Sequence, residues 1–150
     1  MNLVLWRHAD AEDAAPGTPD ADRNLTAKGE KQARRMAAWL RKRLPKGARY
    51  LVSPARRAQQ TAKALAKRFE TSREVGTAAD PHSVLKAAGW PDGAGAVVVV
   101  GHQPTLGQAV ALALSGGPGD LSVKKGAIWW IESRGRGEVA VRAVIAPEMV

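Results

Sequence analysis

Four consecutive valines, Val97 to Val100, restrict what this chain can fold into more than any other feature. β-Branched residues at every position, rather than at alternate ones, describe a strand buried on both faces. Such a strand lies parallel to its neighbours, with helices covering the sheet above and below. Counting Ala96, that strand spans 96–100, and other short runs rich in Val, Ile, Leu or Trp at 3–7, 49–52, 127–132 and 138–145 read as strands too. Helical spacing separates them. Ala33, Met36, Ala37, Leu40 and Leu44 recur every 3.6 residues until Pro45 and Gly47 intervene, and Ala58, Ala62, Leu65 and Phe69 repeat the pattern. A third helix starting at Pro104 carries Leu106, Val110 and Leu114 on one face and ends in Ser115 to Gly119, while a weaker one covers Ser83 to Ala88. The last two strands, split by Arg134-Gly135-Arg136-Gly137, form an antiparallel hairpin at one edge. A chain of 150 residues fits one domain, 1–150. The expected fold is therefore α/β: a single three-layer α/β/α domain with a mostly parallel central sheet and an antiparallel C-terminal edge.

In an open α/β sheet, ligands bind beyond the carboxyl ends of the parallel strands. Three segments reach that rim. Arg7 and His8 follow the first strand, Arg57 lies in the first turn of the helix after the second, and His102 follows the valine run. Ser53 reads as an N-cap, with Pro54 and Pro104 in first helical turns, where a missing amide hydrogen costs nothing. Free amides and the positive ends of two helix dipoles would then favour a phosphate at the rim, and Gly101 would let the backbone pass close to it. Taken singly, His8 reads as a polar residue at the core boundary and His102 as a helix cap. Together with the two arginines they read as a phosphoryl-transfer site.

Several function classes are excluded or demoted. The chain has no cysteine, and its three histidines are too scattered for a metal site, so neither a disulfide framework, a thiolate nucleophile nor a metal is expected. No cofactor is implied. A net charge of +9 would attract polyanions. Its largest concentration, Lys28, Lys31, Arg34, Arg35, Arg41, Lys42 and Arg43, lies mostly opposite the apolar stripe of the first helix and reads as a solvated face. No interleaved aromatics accompany it, so nucleic acid is not the expected partner. Five acids, Asp10, Glu12, Asp13, Asp20 and Asp22, crowd the loop after His8; solvation is the plain reading, contact with a basic patch on a phosphorylated protein the alternative. They lack the spacing of a calcium loop. Met1-Asn2 leads straight into a four-residue apolar run, too short for a signal peptide or a membrane span, and a cytoplasmic location is expected.

Arg7-His8-Ala9, Ser53-Pro54-x-x-Arg57-Ala58-x-x-Thr61 and Gly101-His102, with Leu25-Thr26-x-x-Gly29 ahead of the first long helix, resemble the signatures of the histidine phosphatase superfamily. The compact length and the Gly101-His102-Gln103-Pro104 segment look most like its SixA-type phosphohistidine phosphatases. The resemblance implies that His8 attacks phosphorus to form a phosphohistidine that water then hydrolyses. It implies that Arg7 and Arg57 hold the phosphoryl oxygens, with His102 as a further donor. Thr26 is either a phosphate contact or only an N-cap, and Arg56 a solvent-facing neighbour. Many superfamily members carry a glutamate acid between the second and third motifs; here the matching stretch is Thr77 to Ser83, and the nearest glutamate is Glu74. Imidazole can leave neutral where an alkoxide needs a proton, so a phosphohistidine substrate is preferred. Asp80, Asp10 or His82 are the other candidate proton donors, although Asp80-Pro81 also reads as a turn. The expected partner is a phosphorylated protein. A small phosphate ester, hydrolysed by a phosphomonoesterase or moved by a mutase, is the alternative within the class, and a silent phosphate- or nucleic-acid-binding module the alternative outside it.

Overall fold

The computed structural model describes residues 1–150. In chain order the elements are β1 (Asn2–Arg7), α1 (Ala27–Arg41), β2 (Arg49–Val52), α2 (Arg56–Lys63), β3 (Glu70–Thr71), α3 (Pro81–Ala88), β4 (Ala96–Gly101), α4 (Thr105–Ser115), β5 (Ile128–Ser133) and β6 (Val139–Ile145), with short 3-10 turns at Asp20–Asp22, Arg73–Val75 and Pro147–Met149. The strands form one sheet in the order β3-β2-β4-β1-β5-β6. The first four run parallel, and β5 and β6 add the antiparallel edge expected from the hairpin. No helix is long and apolar enough to cross a membrane.

Every residue of β4 is buried, and its side chains alternate between two cores. Val97 and Val99 join Leu3, Leu5 and Leu51 beneath Val84 of α3 and Leu106 and Val110 of α4. Val98 and Val100 join Val4, Trp6 and Val52 beneath Met36 and Leu40 of α1 and Ala58 and Ala62 of α2. Each such buried side chain contributes roughly 1.5–3 kcal/mol, so the valine run stabilises both layers at once. In α1 the apolar stripe faces this core and the lysines and arginines face solvent, as the spacing predicts. Its start presses against the segment after His8, because a Cβ at Gly29 would collide with the Asp10 carbonyl.

Two helices differ from expectation. The second stops at Lys63, well short of Phe69, and the chain turns into β3. Leu65 and Phe69 still pack on the α1/α2 core, so they keep a helical-looking spacing without a helix, while both residues of β3 are exposed and carry no apolar signal. α3 begins at Pro81 rather than Ser83 because Asp80 is its N-cap, its Oδ1 accepting from the Ser83 amide at 3.0 Å. Asp80-Pro81 thus starts a helix instead of forming a plain turn.

Candidate active site

Backbone hydrogen bonds carry the sheet one step past the strand ends. Arg7 pairs with Gly101, the His8 amide donates to the Gly101 carbonyl at 3.0 Å, and the Gly126 amide donates to the His8 carbonyl at 3.0 Å. The Ser53 amide donates to the Val100 carbonyl at 3.0 Å. The three motif segments are therefore stitched together, and the His8 and His102 rings stand 5.3 Å apart, centre to centre. Arg7, His8, Arg57 and His102 line one cavity of about 230 Å³. A larger depression of about 400 Å³ lies along α3 and α4, lined largely by glycine and proline, and holds none of these groups. The smaller cavity is where the reactive groups converge.

His8 is buried, and its Nδ1 lies 2.8 Å from the Ala9 carbonyl oxygen. A carbonyl only accepts, so Nδ1 carries the hydrogen and Nε2 keeps its lone pair. Burial above all holds His8 down at a pKa of about 3; the Ala9 contact opposes the shift, and His102, Arg57 and Arg7 add to it. Burial, then Arg57, lowers His102 to about 4. Both rings are neutral near pH 7. Because each resists protonation in the folded chain but titrates near the ordinary imidazole value of 6.5 when unfolded, acid favours unfolding. Stability should be full above about pH 6.5 and decline as pH falls toward 3 to 4, by on the order of a few kcal/mol. Denaturant titrations across that range check this: His102→Ala should flatten the decline, and an unchanged slope would contradict it.

The two arginines are held by their terminal nitrogens. Arg57 Nη1 donates to the Asp20 carbonyl at 2.9 Å and Nη2 to Asp20 Oδ2 at 3.1 Å, while Arg7 Nη1 donates to the Val123 carbonyl at 2.9 Å. Asp20 Oδ1 also accepts from Arg23 Nε at 3.0 Å and Nη2 at 2.9 Å. Nε of Arg7, Nε of Arg57 and Nδ1 of His102 are buried without a hydrogen-bond partner in the protein. Leaving a buried donor unpaired costs about 1–3 kcal/mol, and two guanidinium donors without partners beside one cavity mark a place that suits an anionic acceptor. Chemically, an imidazole with a free Nε2 beside two guanidinium groups has what a nucleophilic attack on a bound phosphoryl group requires.

Other sequence expectations fare differently. Ser53 is not the N-cap of α2, which starts at Arg56; its hydroxyl accepts from the Ala55 amide at 3.2 Å and shares a 2.6 Å hydrogen bond with His102 Nε2. Pro54 accordingly precedes the first turn. Of the first amides of α4, those of Leu106, Gly107 and Gln108 are taken by the His102 carbonyl, Gln103 Oε1 and the Pro104 carbonyl and are not free for a ligand. Gly101 makes room for protein: a Cβ there would lie 3.3 Å from the Val75 carbonyl and 3.4 Å from Leu106. Thr26 does not line the cavity, and its hydroxyl caps α1 at the Gly29 amide and donates to Asp10 Oδ2 at 2.7 Å. Asp10, Asp80 and His82 do not line it either. The Thr26 hydroxyl first, and Lys125 with it, hold the Asp10 carboxyl below its ordinary range, and the Ser83 amide does the same for Asp80. His82 is exposed on α3, beside the larger depression. Arg56 is exposed and lies 3.7 Å from Asp22. The acidic loop is not simply solvated, because Asp10, Asp20 and Asp22 all pair with cations.

Three supporting residues went unnoticed as such in the sequence. Thr61 accepts from the Ala9 amide at 3.0 Å and donates to the Arg57 carbonyl at 2.7 Å, tying the loop after His8 to the helix that bears Arg57. Asp20 and Arg23 line the cavity from the acidic loop. Thr61 had a signal, four residues after Arg57 in its motif. Asp20 and Arg23 had none, since only the tertiary fold carries the loop to Arg57.

This fold and this constellation correspond to a known class. The family model of the histidine phosphatase superfamily, branch 1, matches residues 3–79, and the chain belongs to that superfamily. Its activity class is that of a phosphatase. Within the superfamily the similarity is to SixA proteins. Phosphohistidine phosphatase SixA of Escherichia coli is 33% identical over 119 residues, covering 74% of this chain and 73% of that one. The structure of the protein histidine phosphatase SixA complexed with tungstate superposes with a TM-score of 0.83 at 28% identity, covering 98% of this chain and 97% of that one. An uncharacterized protein of Picosynechococcus sp. is 35% identical over 143 residues, 89% of this chain and 86% of its own length.

Proposed function

We propose that residues 1–150 act as one cytoplasmic domain that removes phosphoryl groups from phosphohistidine in proteins, with His8 as nucleophile. The observation that carries this is the neutral His8 ring, locked by Ala9 with Nε2 free, in a cavity shared with Arg7, Arg57 and His102. Nε2 bonds to phosphorus as the substrate's P–N bond breaks, and the electron pair returns to the leaving imidazole. When the far nitrogen of that imidazole is protonated, it departs neutral and no proton need be transferred. Water then attacks the phosphorus of phospho-His8 as the P–N bond breaks; both its protons leave with the released phosphate, as dihydrogen phosphate, and His8 regains its neutral form with the Nδ1 hydrogen in place. Arg7, Arg57 and His102 stabilise the charge on the equatorial oxygens. Two facts favour a nitrogen leaving group over an alkoxide: Asp10 and Asp80 are held as carboxylates, and the SixA relatives are named for phosphohistidine.

Hydrolysis of a phosphohistidine-bearing protein, of phosphoserine and of phosphoglycerate should be compared at equal concentration. The expected order has the phosphohistidine protein ahead by at least about 10²-fold in kcat/KM, the range that proton supply to a leaving group covers. A monoester that matches or exceeds it would reject the proposal.

A further inference from the structure

In an in-line displacement the leaving group stands on the side of phosphorus opposite the attacking atom. His8 is only 7% exposed, at the floor of the cavity, so the leaving group must face the mouth. The exposed ionisable side chains lining the cavity are Asp13, Asp20 and Lys125. Lys125 is paired with Asp10 at 3.1 Å, and Asp13 makes no ion pair. Asp20 is the carboxylate among them that is both fixed and accessible: its side chain is 59% exposed, yet Arg23 grips Oδ1 and Arg57 grips Oδ2. A carboxylate oxygen has about two lone-pair sites, and Oδ2 uses one of them on Arg57.

We propose that Asp20 determines specificity: its Oδ2 accepts the N–H on the far nitrogen of the substrate's phosphorylated imidazole. This rests on the phosphohistidine proposal above. As the His8–phosphorus bond forms and the P–N bond breaks, the leaving ring keeps that proton, and Asp20 favours the protonated, cationic form that departs as neutral imidazole. A phosphoserine oxygen offers no proton in that place and would need one supplied. Asp20 supplies none, because although burial would raise its carboxyl, the hydrogen bonds from Arg23 and Arg57 outweigh that and hold it ionised.

Two probes isolate the single proton at issue: phosphoimidazole, and its analogue methylated on the far nitrogen, each measured relative to its own spontaneous hydrolysis. The wild type should favour phosphoimidazole by about 10- to 100-fold, the span of one hydrogen bond to a charged group. In Asp20→Ala that preference should collapse toward unity, and in Asp20→Asn, which keeps an acceptor oxygen but loses the charge, it should shrink, whatever happens to the absolute rates. A wild type without the preference, or variants that lose both probes equally, would overturn the assignment and leave Asp20 merely holding Arg57. Failure of the underlying proposal looks different: the wild type would then hydrolyse an aryl phosphate more efficiently than phosphoimidazole.

Discussion

Replacing His8 with alanine is expected to lower turnover by roughly 10⁴- to 10⁶-fold, the usual cost of deleting a covalent nucleophile. The same change should eliminate acid-labile radiolabel left on the protein by a phosphorus-32 substrate. Both follow from one geometry: Nε2 of His8 is the lone pair left free by the Ala9 contact, in a cavity with two guanidinium groups. The Arg7 and Arg57 anchors run to Val123 and Asp20, not to His8, so phosphate should still bind the variant. Loss of chemistry with retained phosphate binding is the specific signature. Label that persists on His8→Ala would move the nucleophile elsewhere, with His102, one ring away, the first residue to examine.

Arg57→Ala should cost about 10³- to 10⁵-fold in kcat/KM, the range associated with an arginine that neutralises a transferring phosphoryl group. Arg57→Lys should recover only a small part of this. An ammonium is a point charge, whereas the guanidinium bridges the Asp20 carbonyl and Oδ2 with two nitrogens and still has donors left for phosphate. Asp20 is mostly exposed and retains Arg23, but Arg57 is itself buried, so the alanine variant also loses packing and should melt at a somewhat lower temperature. Thermal melting and steady-state kinetics separate the two effects. An alanine variant within tenfold of the wild type would show that Arg57 serves Asp20 rather than substrate.

Most of the fold was legible because it rests on patterns local to the chain. The Val97–Val100 run announced a doubly covered parallel strand, the stripe through Ala33 and Leu40 announced α1, and Arg134 to Gly137 announced the hairpin. β3 was illegible because two exposed residues paired through backbone alone leave no side-chain signature. The helical spacing runs past the end of α2 because Leu65 and Phe69 pack on the same core after the helix has stopped. His8, Arg57 and His102 could be brought to one rim from sequence, since strand ends in a parallel sheet share a side. Hydroxyl and carboxylate partners were harder. Ser53 has N-cap chemistry, and the same oxygen instead meets His102, while Asp20 reaches Arg57 across 37 residues of chain.

The spacing of the two imidazoles comes from the pairing of β1 with β4, in which Arg7 faces Gly101 and the next residues are the histidines. Their separation is thus inherited from the architecture of the sheet, while Ala11, Asp13, Asp20 and Arg23, which line the same cavity, sit on the segment from Asp10 to Asn24. Apart from Asp20, which holds Arg57, that segment can be rewritten without moving the two imidazoles, so a lineage built on this scaffold can change clientele by altering a loop rather than a sheet.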